Sequence, residues 1–321
     1  MREGIFFIAF VKKLSMDTVI ITGGTGLIGT ALSKFLLSRG YQVIILSRNP
    51  KLKKNSTPGI SYATWNLKEQ SVNEEKFKKA NYIIHLAGAG VADKPWTEKR
   101  KREIVESRTK SSELLIKAMT DIPNNIMAVV SASAIGWYQQ NKGYQSVETD
   151  PPATDFLGET CVAWENAIKP VEELGKRLVI LRTGIVLSNE GGAFPAFRNP
   201  VKYGIAGILG NGKQMISWIH IEDLCRLYLE AMVNTNWSGV YNAVSPGPVN
   251  NRNFIMTLAK KMKGSFFIPI PVPNFILRMI LGDRSEEVLK NSNVSANKIK
   301  QQGFQFIYPT IDTAFTDLTG L

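Results

Sequence analysis

The sequence predicts an α/β protein: a doubly wound parallel sheet followed by a smaller, less regular lobe. Three observations carry this. Strand-length apolar runs alternate with amphipathic helical runs over residues 18–181, the pattern of a parallel sheet covered on both faces. The first strand leads into Gly23, Gly26 and Gly29, spaced G-x-x-G-x-x-G. Past Thr183 the texture changes: Gly191-Gly192, Pro195, Pro200, Gly204, Gly207, Gly210 and Gly212 crowd the chain and mark the second lobe.

The first strand is predicted over residues 18–21 and a helix over 27–39, with a second strand over 43–46. Between strand and helix lies Thr22-Gly23-Gly24-Thr25-Gly26-Leu27-Ile28-Gly29. In that setting the glycines read as a dinucleotide cradle of the Rossmann type. Gly23 turns the chain off the strand, Gly26 lets the backbone approach a pyrophosphate, and Gly29 lets the helix pack close to the sheet. Thr25, Leu27 and Ile28 complete the set, because a helix start offers unpaired N–H groups and a partial positive charge.

About twenty residues past such glycines, a chain that binds NAD carries an acid for the ribose 2′-hydroxyl. Here Arg48 stands in that place, in Ser47-Arg48-Asn49-Pro50. A carboxylate repels a 2′-phosphate, whereas an arginine fork attracts one. NADP(H) is therefore expected over NAD(H), with Lys51 as a possible helper; the alternative is that Arg48 is a solvated loop charge. A third strand over residues 61–65 ends at Asn66, a candidate for the adenine edge. A fourth, over 81–86, ends in Leu86, Ala87 and Gly88, small enough at the last two positions for a dinucleotide to pass. His85 lies within this strand and reads as core rather than ligand.

The loop Val91-Ala92-Asp93-Lys94-Pro95-Trp96 follows a strand end, where ligands bind in such sheets. Lys94 and Trp96 face either the nicotinamide side or ordinary packing and solvent. A charged helix is predicted over residues 97–119 and a fifth strand over 126–130, leading into Ser131-Ala132-Ser133-Ala134. A helix over 156–174 carries Pro170 near its end, and a sixth strand covers 177–181. Further on, a strand-to-helix unit covers 219–233 and another strand 240–243. The expected division is 1–16 as an extension, 17–182 mainly dinucleotide-binding, and 183–321 mainly substrate lobe, with a segment near 216–245 returning to the sheet.

Composition narrows the functional classes. The chain has 321 residues, 44% apolar and 21% charged, ordinary for a globular protein with a real core. No apolar run approaches the ~20 residues that span a bilayer, so no membrane partner is expected. Cys161 and Cys225 are the two cysteines, His85 and His220 the two histidines; no metal spacing appears and a reducing, cytoplasmic compartment is expected. A net charge of +12 suits an anionic cofactor or substrate. Nucleic acid is not expected, since the lysines are scattered. Residues 1–15 place an apolar stretch between basic residues ahead of Met16. They read as an upstream extension with Met16 as a plausible start, a targeting peptide being the lesser reading.

The segments TGGTGLIG, HLAGAGVADKPWT, SASAIGWY, LGETCVAWE, LRTGIVL, SWIHIEDL, YNAVSP and GFQFIYP together resemble the short-chain dehydrogenase/reductase superfamily. The resemblance is to its extended epimerase/dehydratase branch, and within that to atypical epimerase-family proteins with a small C-terminal domain of unknown function. It covers nearly the whole chain from Thr18. It implies bound NADP(H), a small-molecule substrate such as a nucleotide sugar or carbonyl compound, and cofactor contacts at Ser131, Thr183 and Gly184. A monomer or homodimer is compatible with it.

The branch uses a Ser or Thr after the fifth strand and Tyr-x-x-x-Lys on the next helix. The tyrosine moves the proton, the lysine lowers its pKa and holds the ribose, and the serine bonds the reacting oxygen. Ser133 matches the serine. Counting back from Glu165 puts Leu157 where the tyrosine belongs and Cys161 where the lysine belongs. Arg108 replaces the polar Asn of the preceding helix. Tyr138 and Lys142 spell Tyr-x-x-x-Lys, but between Gly136 and Gly143, where a loop is expected and one face does not hold both. The expected function is an NADP(H)-binding oxidoreductase or epimerase-like protein using Ser133 with Tyr138, Lys94 or His220. The alternative is a dinucleotide-binding sensor or scaffold without catalysis. Lys213 is a further candidate for anionic groups. His220 reads equally well as a structural histidine beside Asp223, and Cys161 as a buried thiol.

Overall fold

The computed structural model describes residues 17–50, 57–140 and 143–321. Lys51, Lys142 and residues 1–16 therefore lie outside the described residues. The strands are β1 (Thr18–Thr22), β2 (Gln42–Ser47), β3 (Ile60–Asn66), β4 (Ser71–Val72), β5 (Tyr82–His85), β6 (Ala128–Ala134) and β7 (Arg177–Thr183). Then come β8 (Ile185–Leu187), β9 (Ile205–Leu209), β10 (Met215–Ile216), β11 (Trp218–His220), β12 (Gly239–Ala243), β13 (Val249–Asn250) and β14 (Ile268–Val272). The helices are α1 (Leu27–Ser38), α2 (Glu74–Phe77), α3 (Glu98–Asp121), α4 (Phe156–Ile168), α5 (Phe194–Lys202) and α6 (Ile221–Val233). They continue with α7 (Asn251–Lys263), α8 (Asn274–Leu281), α9 (Ser285–Leu289), α10 (Asn297–Gln301) and α11 (Ile311–Thr319).

The main sheet runs β12-β7-β6-β5-β1-β2-β3-β4. Every pairing from β12 to β3 is parallel, and only short β4 is antiparallel. Strand order reverses between β1 and β5, which makes that gap the switch point where such sheets bind ligands. The strands are apolar on both faces because helices cover both. Val19, Ile21, Val43, Ile45, Ile84 and Val130 point to the side of α1 and α6. Ile20, Ile44, Ile83, Val129 and Ile180 point to the side of α3.

The element ends have local causes. Thr97 caps α3 through the Arg100 N–H, and Asp155 caps α4 through the Gly158 N–H at 2.8 Å. The helical run from Phe156 ends earlier than its periodicity predicts: α4 stops at Ile168 and a single tight turn, Lys169–Val171, carries Pro170. The second half is more ordered than its glycines and prolines suggest. Its core joins Leu187, Phe194, Trp218, Phe254, Leu258 and Phe315, with small sheets β10–β13, β8–β11 and β9–β14. Two of its segments serve the main sheet: β12 extends it beside β7, and α6 packs on one face. Asp223 of α6 is fully buried and accepts from the Ile307 and Tyr308 N–H groups at 2.9 Å, tying the terminal segment to α6.

Candidate functional site

The glycine loop leaves β1 at the switch point. Gly23 has φ +66°, and a Cβ there would meet the Leu86 carbonyl oxygen at 2.6 Å. Loop and β5 end are thus in direct backbone contact. At Gly29 a Cβ would overlap Gly23 O and come within 2.5 Å of Gly24 Cα, so helix and loop touch as well. Gly26 differs. A Cβ there meets no protein atom closer than Gly23 O at 3.4 Å. Gly26 is also the N-cap of α1 and gives no side-chain cap. The first N–H groups of α1, at Leu27 and Ile28, have no acceptor among the described backbone bonds, and Thr25 beside them is exposed. This cradle fits a pyrophosphate.

Around it the β1–β5 seam is held by Thr22. Its Oγ1 accepts from the Leu86 and Ala87 N–H groups, both at 3.1 Å, and lies 2.7 Å from His85 Nδ1. His85 Nε2 lies 3.1 Å from Ser112 Oγ. The ring is fully buried and burial pushes its pKa down to about 3, so it stays neutral and structural. Ser131 is buried with its hydroxyl on Ala132 O; Thr183 bonds Leu181 O, and Gly184 packs against Ser217 and Val244.

Arg48 lies exposed at the end of β2, within electrostatic reach of Glu103 on α3. Asn66 ends β3 with Oδ1 accepting from the Lys68 and Glu69 N–H groups at 3.0 and 3.2 Å. Its oxygen holds a turn, and its amide N–H₂ stays available. Gly192 and Gly191 come close to Leu27, so the loop after β8 forms another wall of the cradle. Sequence reasoning missed that wall.

Beyond β6 the geometry departs from expectation. Ser133 is 3% exposed, and its hydroxyl donates to Glu165 Oε1 at 2.7 Å. The group expected to meet a reacting oxygen is engaged by a carboxylate of α4. Arg182 grips both oxygens of that carboxylate, Nε on Oε1 at 2.8 Å and Nη2 on Oε2 at 2.9 Å. Its Nη1 donates to Tyr138 OH at 3.0 Å, and that hydroxyl donates to Asn242 Oδ1 at 2.6 Å. Tyr138 is 3% exposed, and burial raises its pKa to about 12. Tyr138 sits just after a tight turn, Ile135–Trp137, and bridges Pro152, so it is off any helix. The Arg182 guanidinium stacks 3.6 Å from the Trp137 ring. Ser133, Glu165, Arg182, Tyr138 and Asn242 form one buried network tying β6, α4, β7 and β12 together. A lone Arg and a lone Asn in the otherwise apolar strands LRTG and YNAV were its signal in the sequence.

Leu157 and Cys161, one turn apart on α4, face the end of β6. A Cβ on Gly136 would lie 3.3 Å from Leu157 Cβ and 3.7 Å from Cys161 Sγ. The Cys161 thiol is directed at Ala134 O at 3.6 Å, and burial raises its pKa to about 12. It is a neutral thiol rather than a nucleophile.

On its open side Leu157 lines a cavity of about 460 Å³ with Trp96, Asp155, Arg278, Glu287 and Lys290. A second cavity of about 510 Å³ is lined by Lys213, Gln214, Asn211 and Asn291 and shares Gln140, Asn274 and Leu289 with the first. Lys290 Nζ bonds Asp155 Oδ2 at 2.9 Å and so pins α9 to the start of α4. The cleft therefore lies between the sheet's carboxyl edge and the second lobe. Trp96 reaches it, with its Nε1 on Val91 O at 2.9 Å, while Lys94 is exposed nearby in sequence. His220 is elsewhere: it caps α6 through the Glu222 N–H at 3.3 Å, packs against the Tyr308 ring at a tilt of 42° and lies 3.2 Å from Asp317. Burial lowers its pKa. Among the described residues no group of three or more His, Cys, Asp or Glu could hold a metal, and no helix is long and apolar enough to cross a membrane.

A glycine cradle at the switch point of a parallel sheet, with a polar cleft between that sheet and a second lobe, defines a nucleotide-binding α/β protein of the short-chain dehydrogenase kind. Comparison with known proteins carries this further. Residues 19–243 match the NAD dependent epimerase/dehydratase family, and residues 272–318 match a domain of unknown function, DUF1731. The chain belongs to the NAD dependent epimerase/dehydratase family. Epimerase family protein SAR0825 of Staphylococcus aureus is 36% identical over 306 residues, which cover 94% of this chain and 99% of that one. Human epimerase family protein SDR39U1, solved with NADPH, has a TM-score of 0.84 and 28% identity over 94% of this chain and 99% of its own. UDP-glucose 4-epimerase of Thermus thermophilus, solved with NAD, shares the fold with a TM-score of 0.71 at 19% identity, over 94% of this chain and 99% of its own.

Proposed function

We propose that the protein is an NADP(H)-dependent oxidoreductase or epimerase-type enzyme. Its substrate would be a small carbonyl- or hydroxyl-bearing molecule, such as a nucleotide sugar, held in the cleft between the lobes. The observation that carries this is the cleft's place at the carboxyl edge of the sheet: Leu157 borders the β6 end on one side and the cleft on the other. The human relative solved with NADPH supports the cofactor.

Gly23, Gly26, Gly29 and the start of α1 would hold the pyrophosphate, and Arg48 the 2′-phosphate. The Asn66 amide would meet adenine, while Leu86, Ala87 and Gly88 would floor the other half, toward Ser131, Thr183 and Gly184. When bound, NADP(H) supplies or accepts a hydride. Lys213 and Arg278 give the cleft cations for an anionic substrate, Lys290 being paired with Asp155. The proton partner comes from the cleft side, because Ser133 and Tyr138 are held in the buried network and His220 is a helix cap. Glu287, whose carboxyl lines the cleft, would be that partner, with Lys94 of the exposed loop before α3 as the other candidate.

One observation favours a second reading, a dinucleotide-binding sensor or scaffold: the phenol and ammonium positions hold a leucine and a neutral thiol. Turnover decides. Oxidation of NADPH by a carbonyl compound across a broad panel supports the enzyme; tight binding without turnover supports the sensor. For the cofactor, Arg48→Ala is expected to weaken NADPH about ten- to a hundredfold, the loss of a charge-assisted contact, and leave NADH unchanged. Equal affinity for both dinucleotides in the wild type overturns the NADP(H) assignment.

A further inference from the structure

The carboxyl end of β5 holds a buried cation without an acid. Arg108, midway along α3, is 8% exposed. Among the described residues its hydrogen bonds come from Nη1 alone, to Ile104 O at 2.8 Å and Ala89 O at 3.1 Å. Its Cζ stands 4.8 Å from the centre of the Trp164 ring and 3.0 Å from the place of a Cβ on Gly88. Nε and Nη2 have no acceptor among the described residues and are not sealed off, so a ligand in the site can reach them. Burial pulls its pKa down to about 10, and neighbouring Arg100 adds to the cost. A buried charge in that state is expensive unless something pairs with it.

Its position says what would. Gly88 follows Leu86, whose carbonyl abuts Gly23 at the switch point. Arg48 and Asn66 mark the adenine half on the β2–β3 side, so the half crossing β5 is the nicotinamide half. On the facing helix α4, Cys161 offers no charge.

We infer that Arg108 is a ligand-binding residue of the dinucleotide site. Its Nε and Nη2 donate to the sugar hydroxyls of the nicotinamide half as it passes Gly88. It supplies from α3 the positive charge that Cys161 does not supply from α4. This rests on the NADP(H) reading above.

The test is calorimetric binding of two probes to the full chain. NADPH carries both halves; adenosine 2′,5′-bisphosphate carries only the adenine half. Arg108→Met keeps the bulk of the side chain. It is expected to weaken NADPH at least about tenfold and leave the bisphosphate within about twofold. Arg108→Lys keeps a charge and a donor but not the fork, and is expected to show the same ordering with a smaller loss; it carries the test if the methionine variant does not fold. Unchanged NADPH affinity in these variants, or equal losses for both probes, overturns the inference and leaves Arg108 a structural residue. So does a wild type that binds both probes equally. A wild type that binds neither probe removes the NADP(H) reading itself.

Discussion

Gly26 and Gly29 lie in the same motif, yet the structure assigns them opposite sensitivities. At Gly29 an added methyl overlaps backbone, Gly23 O and Gly24 Cα, and neither moves without shifting the loop off β1. Overpacking of that kind costs about 1–3 kcal/mol, which lowers Tm by roughly 1.5–4.5 °C in a chain of 321 residues. At Gly26 the backbone has φ −80° and ψ 178°, ordinary for any residue, and the nearest atom lies 3.4 Å away. Gly26→Ala should therefore fold with a stability change within about 0.5 kcal/mol. Its methyl would stand where the pyrophosphate approaches the α1 N–H groups. Losing one or two charge-assisted bonds of about 1.5–3 kcal/mol each weakens NADPH by a factor of about ten to about twenty thousand. Thermal melting by circular dichroism and calorimetric titration separate the two effects. A Gly26→Ala variant that binds NADPH like wild type, or melts as low as Gly29→Ala, refutes this account of the loop.

Three other perturbations have definite expected outcomes. Glu165→Gln leaves Arg182 buried against a neutral partner and should cost about 3–5 kcal/mol in urea unfolding, with Glu165→Gln/Arg182→Met recovering part of the loss; an unchanged midpoint would show the network to be unimportant. His85 has its pKa lowered from 6.5 to about 3 in the fold. As pH falls below 6.5 the unfolded chain takes up this proton and the folded one does not, so stability drops with acidification by about 1.4 kcal/mol per pH unit down to the folded pKa. Urea unfolding at two pH values between 6.5 and 5 should show a flatter dependence for His85→Gln, and equal slopes would refute it. Cys161, with its thiol pKa near 12, should resist iodoacetamide in the native protein and react on unfolding; rapid native labelling would contradict the burial.

The layered sheet was legible because period and spacing are local properties. Apolar runs at strand length and three glycines gave β1, α1 and the switch-point cradle. Boundaries were less so. The residues 126–130 reading stopped short of β6, which runs to Ala134, because Ser131 and Ser133 look like loop residues until Glu165 pairs with one of them from 32 positions away. The second lobe was underestimated for a related reason: Gly204, Gly210 and Gly212 have positive φ and turn the chain between elements, where composition alone reads as irregular. The cleft was legible only in fragments: Trp96 and Lys213, both candidates in the sequence, line it, but its closure was not. Asp155 and Lys290 meet across 135 positions, and neither stands out in its own segment.

The replacements on α3 and α4 belong together on electrostatic grounds. Arg108 and Cys161 interact across the interface: burial and Glu165 raise the thiol pKa to about 12, and the guanidinium offsets part of that rise. A lysine in place of Cys161 would set a second cation against one already destabilised by burial and by Arg100. In that low-dielectric setting like charges cost far more than in water. A neutral residue at 161 and a cation at 108 are therefore one compatible solution, and a lysine at 161 with a neutral amide at 108 is the other. Leu157 fits the first: a tyrosine there would face a neutral thiol and have no ammonium to lower its pKa. The cradle meanwhile depends on none of these side chains, since Gly23, Gly26 and Gly29 act through backbone alone. Pyrophosphate binding can thus persist while the acid/base chemistry beside it changes.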